Sequence, residues 1–144
     1  MLYNRNNQSY LKPLATMVLA STTLLMSGCE TLKNVGKSDS EIVKSYSEDW
    51  LASIMQADFE NAYKYTTPAF KLAVTPKLYI SRYAGAPRWT DGKVVDVVCE
   101  EENVCDVKFS FSYFQVRTMM TQTRRLDERW IKTAEGWRIY HKIK

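Results

Sequence analysis

Glu128 stands between Leu126 and Trp130 in the alternation LDERW. A carboxylate held in apolar surroundings can take a proton from carbon, as isomerase chemistry requires. That chemistry also needs a donor for the charge that develops on oxygen, and Tyr113 and Tyr79 are the candidates. No convincing second acid or base completes the set. Asp96 alternates with valines but is a single carboxylate on its strand. His141 is the one histidine, lacks partners at the spacing of a triad or a metal site, and reads as an edge residue of the last strand. Gly36, Gly85, Gly92 and Gly136 form no phosphate-binding loop. The plainer reading is therefore favoured: Glu128 pairs with an arginine such as Arg125 on the sheet surface, and the tyrosines fill the core. No catalytic activity, metal or cofactor is expected.

The N-terminus carries a different chemistry. Arg5 and Lys12 are the only charges before Cys29, and an apolar run over residues 14–26 follows them. That run is too short to span a bilayer, which takes about 20 residues. It fits a secretory signal peptide instead. Met26-Ser27-Gly28-Cys29 resembles the lipobox of bacterial lipoproteins, with Met where Leu is usual. The resemblance implies cleavage after residue 28, a diacylglyceryl group on Cys29 and an acylated, palmitate-type amine. More than one chain is what stable anchoring requires. Glu30, where lipoproteins kept at the inner membrane typically carry Asp, points to the outer membrane, facing the periplasm.

Residues 29–144 hold 18 Lys plus Arg against 16 Asp plus Glu, a net charge of about +2. This is too small for a nucleic-acid binder, and an envelope address argues against one further. Residues 30–37 are polar and short, a tether. Residues 38–144 suffice for one domain with one core.

With Cys29 given to lipid, Cys99 and Cys105 remain as a disulfide in an oxidising compartment. The strand pattern makes the same demand. A turn near Glu102 places Cys99 opposite Cys105, Val97 opposite Val107 and Val95 opposite Phe109. Two further strands are expected over residues 124–133 and 137–143, joined around Glu135-Gly136. Either face of the third, Leu126-Glu128-Trp130 or Asp127-Arg129-Ile131, could look inward.

Helices precede the sheet. Ser38 and Glu41 form a capping box, and Val43, Tyr46, Trp50, Leu51 and Ile54 make the buried stripe of a helix ending near Gln56. Asp58 caps a short second helix with Phe59, Ala62 and Tyr63 that stops before Pro68. Thr75-Pro76 opens a third, through Leu78, Tyr79 and Tyr83, which Gly85 and Pro87 end.

Helices followed by about four antiparallel strands make an α+β plan. Its order resembles the nuclear transport factor 2-like (ketosteroid isomerase-like, cystatin-like) superfamily, through WLASIMQADFENAYKYTTPAF and the closing hairpin ERWIKTAEGWRIY. Ala57-Asp58 stands where Gly-Asp is common. The resemblance implies a curved sheet closed into a cone, with Trp50, Tyr63, Tyr79, Tyr83, Phe111, Tyr113, Glu128 and Trp130 as candidate pocket residues. Fold alone does not select a function.

The expectation is a lipid-anchored envelope module that binds a partner protein or a small apolar ligand, without nucleic acid and with a homodimer allowed. The alternatives are a structural subunit of a secretion or conjugation machine, and an isomerase- or dehydratase-type enzyme using Glu128. From residue 117 onward eight Lys or Arg face three acids, a basic end suited to an acidic partner. Arg82 and Arg88, set among aromatics in YISRYAGAPRW, would sit on a pocket rim.

Overall fold

The computed structural model describes residue 34 and residues 36–142. The signal peptide, the lipobox with Cys29, most of the tether, and Ile143 lie outside the described residues. No helix among the described residues is long and apolar enough to cross a membrane.

Helix α1 (Asp39–Met55) begins as its sequence demands. Ser38 Oγ accepts from the Glu41 N–H at 3.3 Å, while Glu41 Oε2 accepts from the Ser38 N–H at 2.8 Å. Val43, Ser47, Trp50, Leu51 and Ile54 are buried at the three- and four-residue spacing of one helical face. The helix ends in a Schellman motif, with the Asp58 N–H bonded to Ser53 O at 2.8 Å and the Ala57 N–H to Ile54 O at 3.3 Å. Ala57 sits at the left-handed position, φ 61°. That geometry is why glycine is the easier residue there.

Three short helices follow, each opened by a side-chain cap. Asp58 caps α2 (Phe59–Lys64), Thr67 caps α3 (Pro68–Ala73) and Thr75 caps α4 (Pro76–Tyr83). Pro68 thus starts a further short helix as well as stopping the one before it, because a first-turn proline has no N–H to leave unpaired. A 3-10 turn, Ala86–Arg88, leads into the sheet.

The sheet is an antiparallel meander, β1 (Thr90–Glu101), β2 (Val104–Gln115), β3 (Met120–Thr133) and β4 (Gly136–Tyr140), in that spatial order. The Cys99–Cys105 disulfide is formed and Val97 lies opposite Val107, as the pattern required. One expected pair is corrected. Phe109 faces Val94, not Val95, because a register shift between Val94 and Asp96 turns Val95 out to 53 % exposure. On β3, Leu126, Glu128 and Trp130 face the helices. Trp130 is fully buried between Cys105 on β2 and Ile139 on β4. β4 is stitched to the helical layer through the Ile139 N–H, which donates to Tyr65 O at 2.8 Å. The core lies between α1 and this face of the sheet, with Trp50, Phe70, Tyr79, Phe109, Trp130 and Ile139 all at or near zero exposure.

Candidate functional site

Alternation along β3 decides where Glu128 goes. Trp130 must be inside, so Glu128 two residues earlier is inside as well, next to Val107 on β2. Its side chain is 9 % exposed. The surface pairing with Arg125 is therefore overturned: Arg125 is an odd-numbered neighbour on the opposite face and is exposed. The outward face carries its own ion pairs, Arg129 with both oxygens of Asp106 at 2.8 and 3.0 Å, and Lys108 with Asp96 at 3.4 Å.

His141 is the second correction. It follows the edge strand β4, yet its imidazole is fully buried. It sits among Phe70, Tyr83, Tyr79 and Trp50, with ring centroids 5.0, 5.9, 6.1 and 6.4 Å away. Trp137 and Ile139 share its face and are buried, so alternation draws His141 inward after the strand has ended. Its Nδ1 lies 3.4 Å from Glu128 Oε2, and neither ring nitrogen makes a hydrogen bond among the described residues. The other oxygen of Glu128 accepts from the Tyr83 hydroxyl at 3.3 Å.

Tyr79 and Tyr83 are phenols here and not phenolates, and Tyr83 donates a hydrogen bond to Glu128. Burial pushes both hydroxyls well above the ordinary tyrosine range, and the Glu128 charge adds to the effect in each. The Tyr79 oxygen accepts from Trp50 Nε1 at 2.8 Å, so the indole deep in the core has its partner. Glu128, His141, Tyr83 and Tyr79 thus form a polar cluster inside an aromatic shell.

Of the expected pocket residues, Trp50, Tyr79, Tyr83, Glu128 and Trp130 meet in this interior. Tyr63 flanks it, its ring 5.3 Å from Tyr79 and its hydroxyl given to Val74 O at 2.7 Å. Phe111 and Tyr113 lie elsewhere. Phe111 stacks on Trp89 at 3.7 Å, and Tyr113 pairs with Gln122, far along the sheet from Glu128. The sequence reading missed His141 as a member of the cluster. The signal was present in its two-residue spacing from Ile139.

These rings pack against one another in the core. Beside them lies an open cleft of about 640 Å³ where β4 stops covering β3. Glu128 and Leu126 line it, and Arg82, Lys142 and Asp127 are among its charged residues. Arg82 stands over the Tyr83 ring at 5.8 Å. Neither Arg82 nor Lys142 forms an ion pair among the described residues. No group of side chains among the described residues is arranged to hold a metal ion.

No family model matches the chain, and no curated protein does. Solved structures do. A ketosteroid isomerase-like protein from Erwinia carotovora atroseptica matches at 14 % identity over 71 % of this chain and 91 % of its own, TM-score 0.50. A SEC-C motif-containing protein from Psychrobacter arcticus matches at 14 % identity over 78 % of this chain and 65 % of its own, TM-score 0.58. At such identity the likeness is one of fold alone. Helices capped in series and closed by a four-strand antiparallel meander give this chain an α+β fold, similar to that of the ketosteroid isomerase-like protein.

Proposed function

We propose that this protein is a non-catalytic binding module of the bacterial cell envelope, lipid-anchored through Cys29, that takes an acidic segment of a partner protein in the cleft beside Glu128. The open cleft carries this reading. Trp50, Phe70, Tyr79, Tyr83 and His141 pack ring against ring beside it, and the cleft offers Arg82 and Lys142, which form no ion pair among the described residues. The lipobox resemblance supports the anchor, and Glu30 supports the outer membrane.

The test is native mass spectrometry of the full-length protein extracted from its membrane, beside a Cys29→Ser form. The anchor predicts the mass of a diacylglyceryl-modified cysteine, lost in Cys29→Ser. A docking role predicts no small molecule retained, and a partner whose binding falls when Arg82 and Lys142 are both replaced by Glu. A small apolar compound carried through purification would overturn it.

One observation favours a second reading. Glu128 lies between a tyrosine donor and a histidine, the group types that move protons in enzymes. As an isomerase- or dehydratase-type enzyme the protein would lose turnover in Glu128→Gln while keeping its fold, and the interior would have to open to admit a substrate.

A further inference from the structure

We propose that the free end of the β2–β3 hairpin is a wedge that docks on a bilayer bearing anionic phospholipid headgroups. β1 covers β2 only as far as Ser112, and β4 covers β3 only from Arg129. Beyond those limits the hairpin continues as a two-stranded ribbon. Two strands alone are marginal in water, and among the described residues no further strand flanks this end to bury its side chains.

Its side chains are the wrong kind for a solvated tip. Phe114, Val116, Met119 and Met120 are 55, 74, 71 and 63 % exposed. They occur together, unlike the scattered apolar residues found on any surface. Cross-strand pairing puts Phe114 with Thr121 on one face and Met120 with Gln115 on the other, while Val116 and Met119 lie in the turn between. The apolar surface therefore wraps the end of the ribbon. That shape suits insertion end-on into a soft apolar layer, and suits poorly the one-sided packing of a sheet against a protein.

The turn presents them in a formed loop. Its Thr118 and Met119 N–H groups donate to Gln115 O and Val116 O, each at 3.3 Å, and the Thr118 hydroxyl also reaches Gln115. At the base, the Trp89–Phe111 stack fixes the ribbon to the body.

Charge selects the partner. Between Asp106 and Asp127 the chain carries Lys108, Arg117, Arg124 and Arg125 and no acid. Arg117 is at the tip and exposed. Arg124 and Arg125 follow, exposed on opposite faces, one turned to the Tyr113 hydroxyl at 3.4 Å. An apolar tip with Arg117 in its turn and Arg124 and Arg125 further back along the hairpin matches the boundary between acyl chains and phosphates, the tip lying in the apolar layer and the guanidinium groups reaching the headgroups. The hairpin would dock in this way with or without lipid on Cys29.

Val116→Trp in a full-length chain that also carries Trp89→Phe reports on the tip directly, since Trp50, Trp130 and Trp137 are buried and the partly buried Trp89 at the ribbon's base no longer contributes. The protein is reconstituted into vesicles of phosphatidylethanolamine and phosphatidylglycerol with brominated acyl chains. The expected result is a blue shift and loss of the added emission, absent in phosphatidylcholine vesicles and abolished by Arg117→Glu with Arg124→Glu. Because the readout is local to residue 116, tethering through the N-terminal segment cannot imitate it. Unchanged emission in the anionic vesicles overturns the proposal. So does equal quenching in phosphatidylcholine, or a blue shift that grows with protein concentration without vesicles, which would assign the tip to a second copy. A shared urea midpoint with the parent chain shows that the variants fold.

Discussion

Glu128 Oε2 lies 3.4 Å from His141 Nδ1 inside a shell of aromatic rings, and the other carboxylate oxygen accepts from Tyr83. A carboxyl group placed in an apolar core is costly unless its oxygens find partners, so the three side chains depend on one another. Their positions come from three separate elements, β3, α4 and the residue after β4. The cluster therefore ties the last residues of the described chain to the helical layer.

Glu128→Ala should cost about 1–3 kcal/mol, because it strands the Tyr83 hydroxyl and leaves His141 without its nearest polar neighbour. Glu128→Gln keeps an acceptor for Tyr83 and should cost less. Tyr83→Phe should cost about 1 kcal/mol. Urea unfolding of the two single variants and the double would show coupling between Glu128 and Tyr83. Strict additivity would mean that the 3.3 Å contact contributes nothing.

Ala57 offers the opposite sign. Its φ of 61° is the left-handed conformation, which costs an L-residue with a Cβ about 1–2 kcal/mol. Glycine removes that strain but adds freedom to the unfolded chain, so Ala57→Gly should stabilise by about 0.5–1 kcal/mol. A lowered thermal midpoint would show that the methyl group contributes packing which outweighs the strain.

What the sequence revealed divides along the same lines. Caps at Ser38, Asp58 and Thr75 were legible because each satisfies an orphan N–H with a residue three positions away, a purely local relationship. The Cys99–Cys105 register was legible because the cysteine spacing and the valine alternation agreed. Val95 was misplaced because an added residue on one strand leaves no mark in a two-residue pattern. Glu128 was ambiguous because β3 carries an apolar residue on each face, Trp130 and Ile131, and only contact with the helices separates them. His141 was missed because its neighbours, Trp50 on α1, Phe70 on α3 and Tyr79 and Tyr83 on α4, are brought together by tertiary packing alone.

The disulfide closes a loop with a sequence separation of 6. So short a loop restricts the unfolded chain by only about 2–3 kcal/mol. Cys99→Ala with Cys105→Ala should lower stability by about that amount and leave the fold intact, since Val97–Val107 pairing and the buried Trp130 remain. Complete loss of cooperative unfolding would mean that the staple organises the hairpin itself.

Asp39 gives the pH dependence its sign. At the start of α1 it accepts from Lys132 Nζ at 3.1 Å and from Trp137 Nε1 at 3.2 Å, joining the helix to β3 and β4. The Lys132 hydrogen bond, with that of Trp137 and the Lys132 charge, holds its carboxyl below the usual range against an opposing effect of burial that is second in size only to the Lys132 bond. A carboxyl whose folded value is depressed contributes stability that is fully present above the unfolded value of about 3.9 and is lost as pH falls through the folded value. Asp39→Asn should thus be less stable than the parent at neutral pH, with the gap closing as both are titrated below about pH 4. Urea midpoints measured from pH 7 downward decide the matter: a gap that stays constant through the acid range would show that the carboxylate charge plays no part in holding α1 to the sheet.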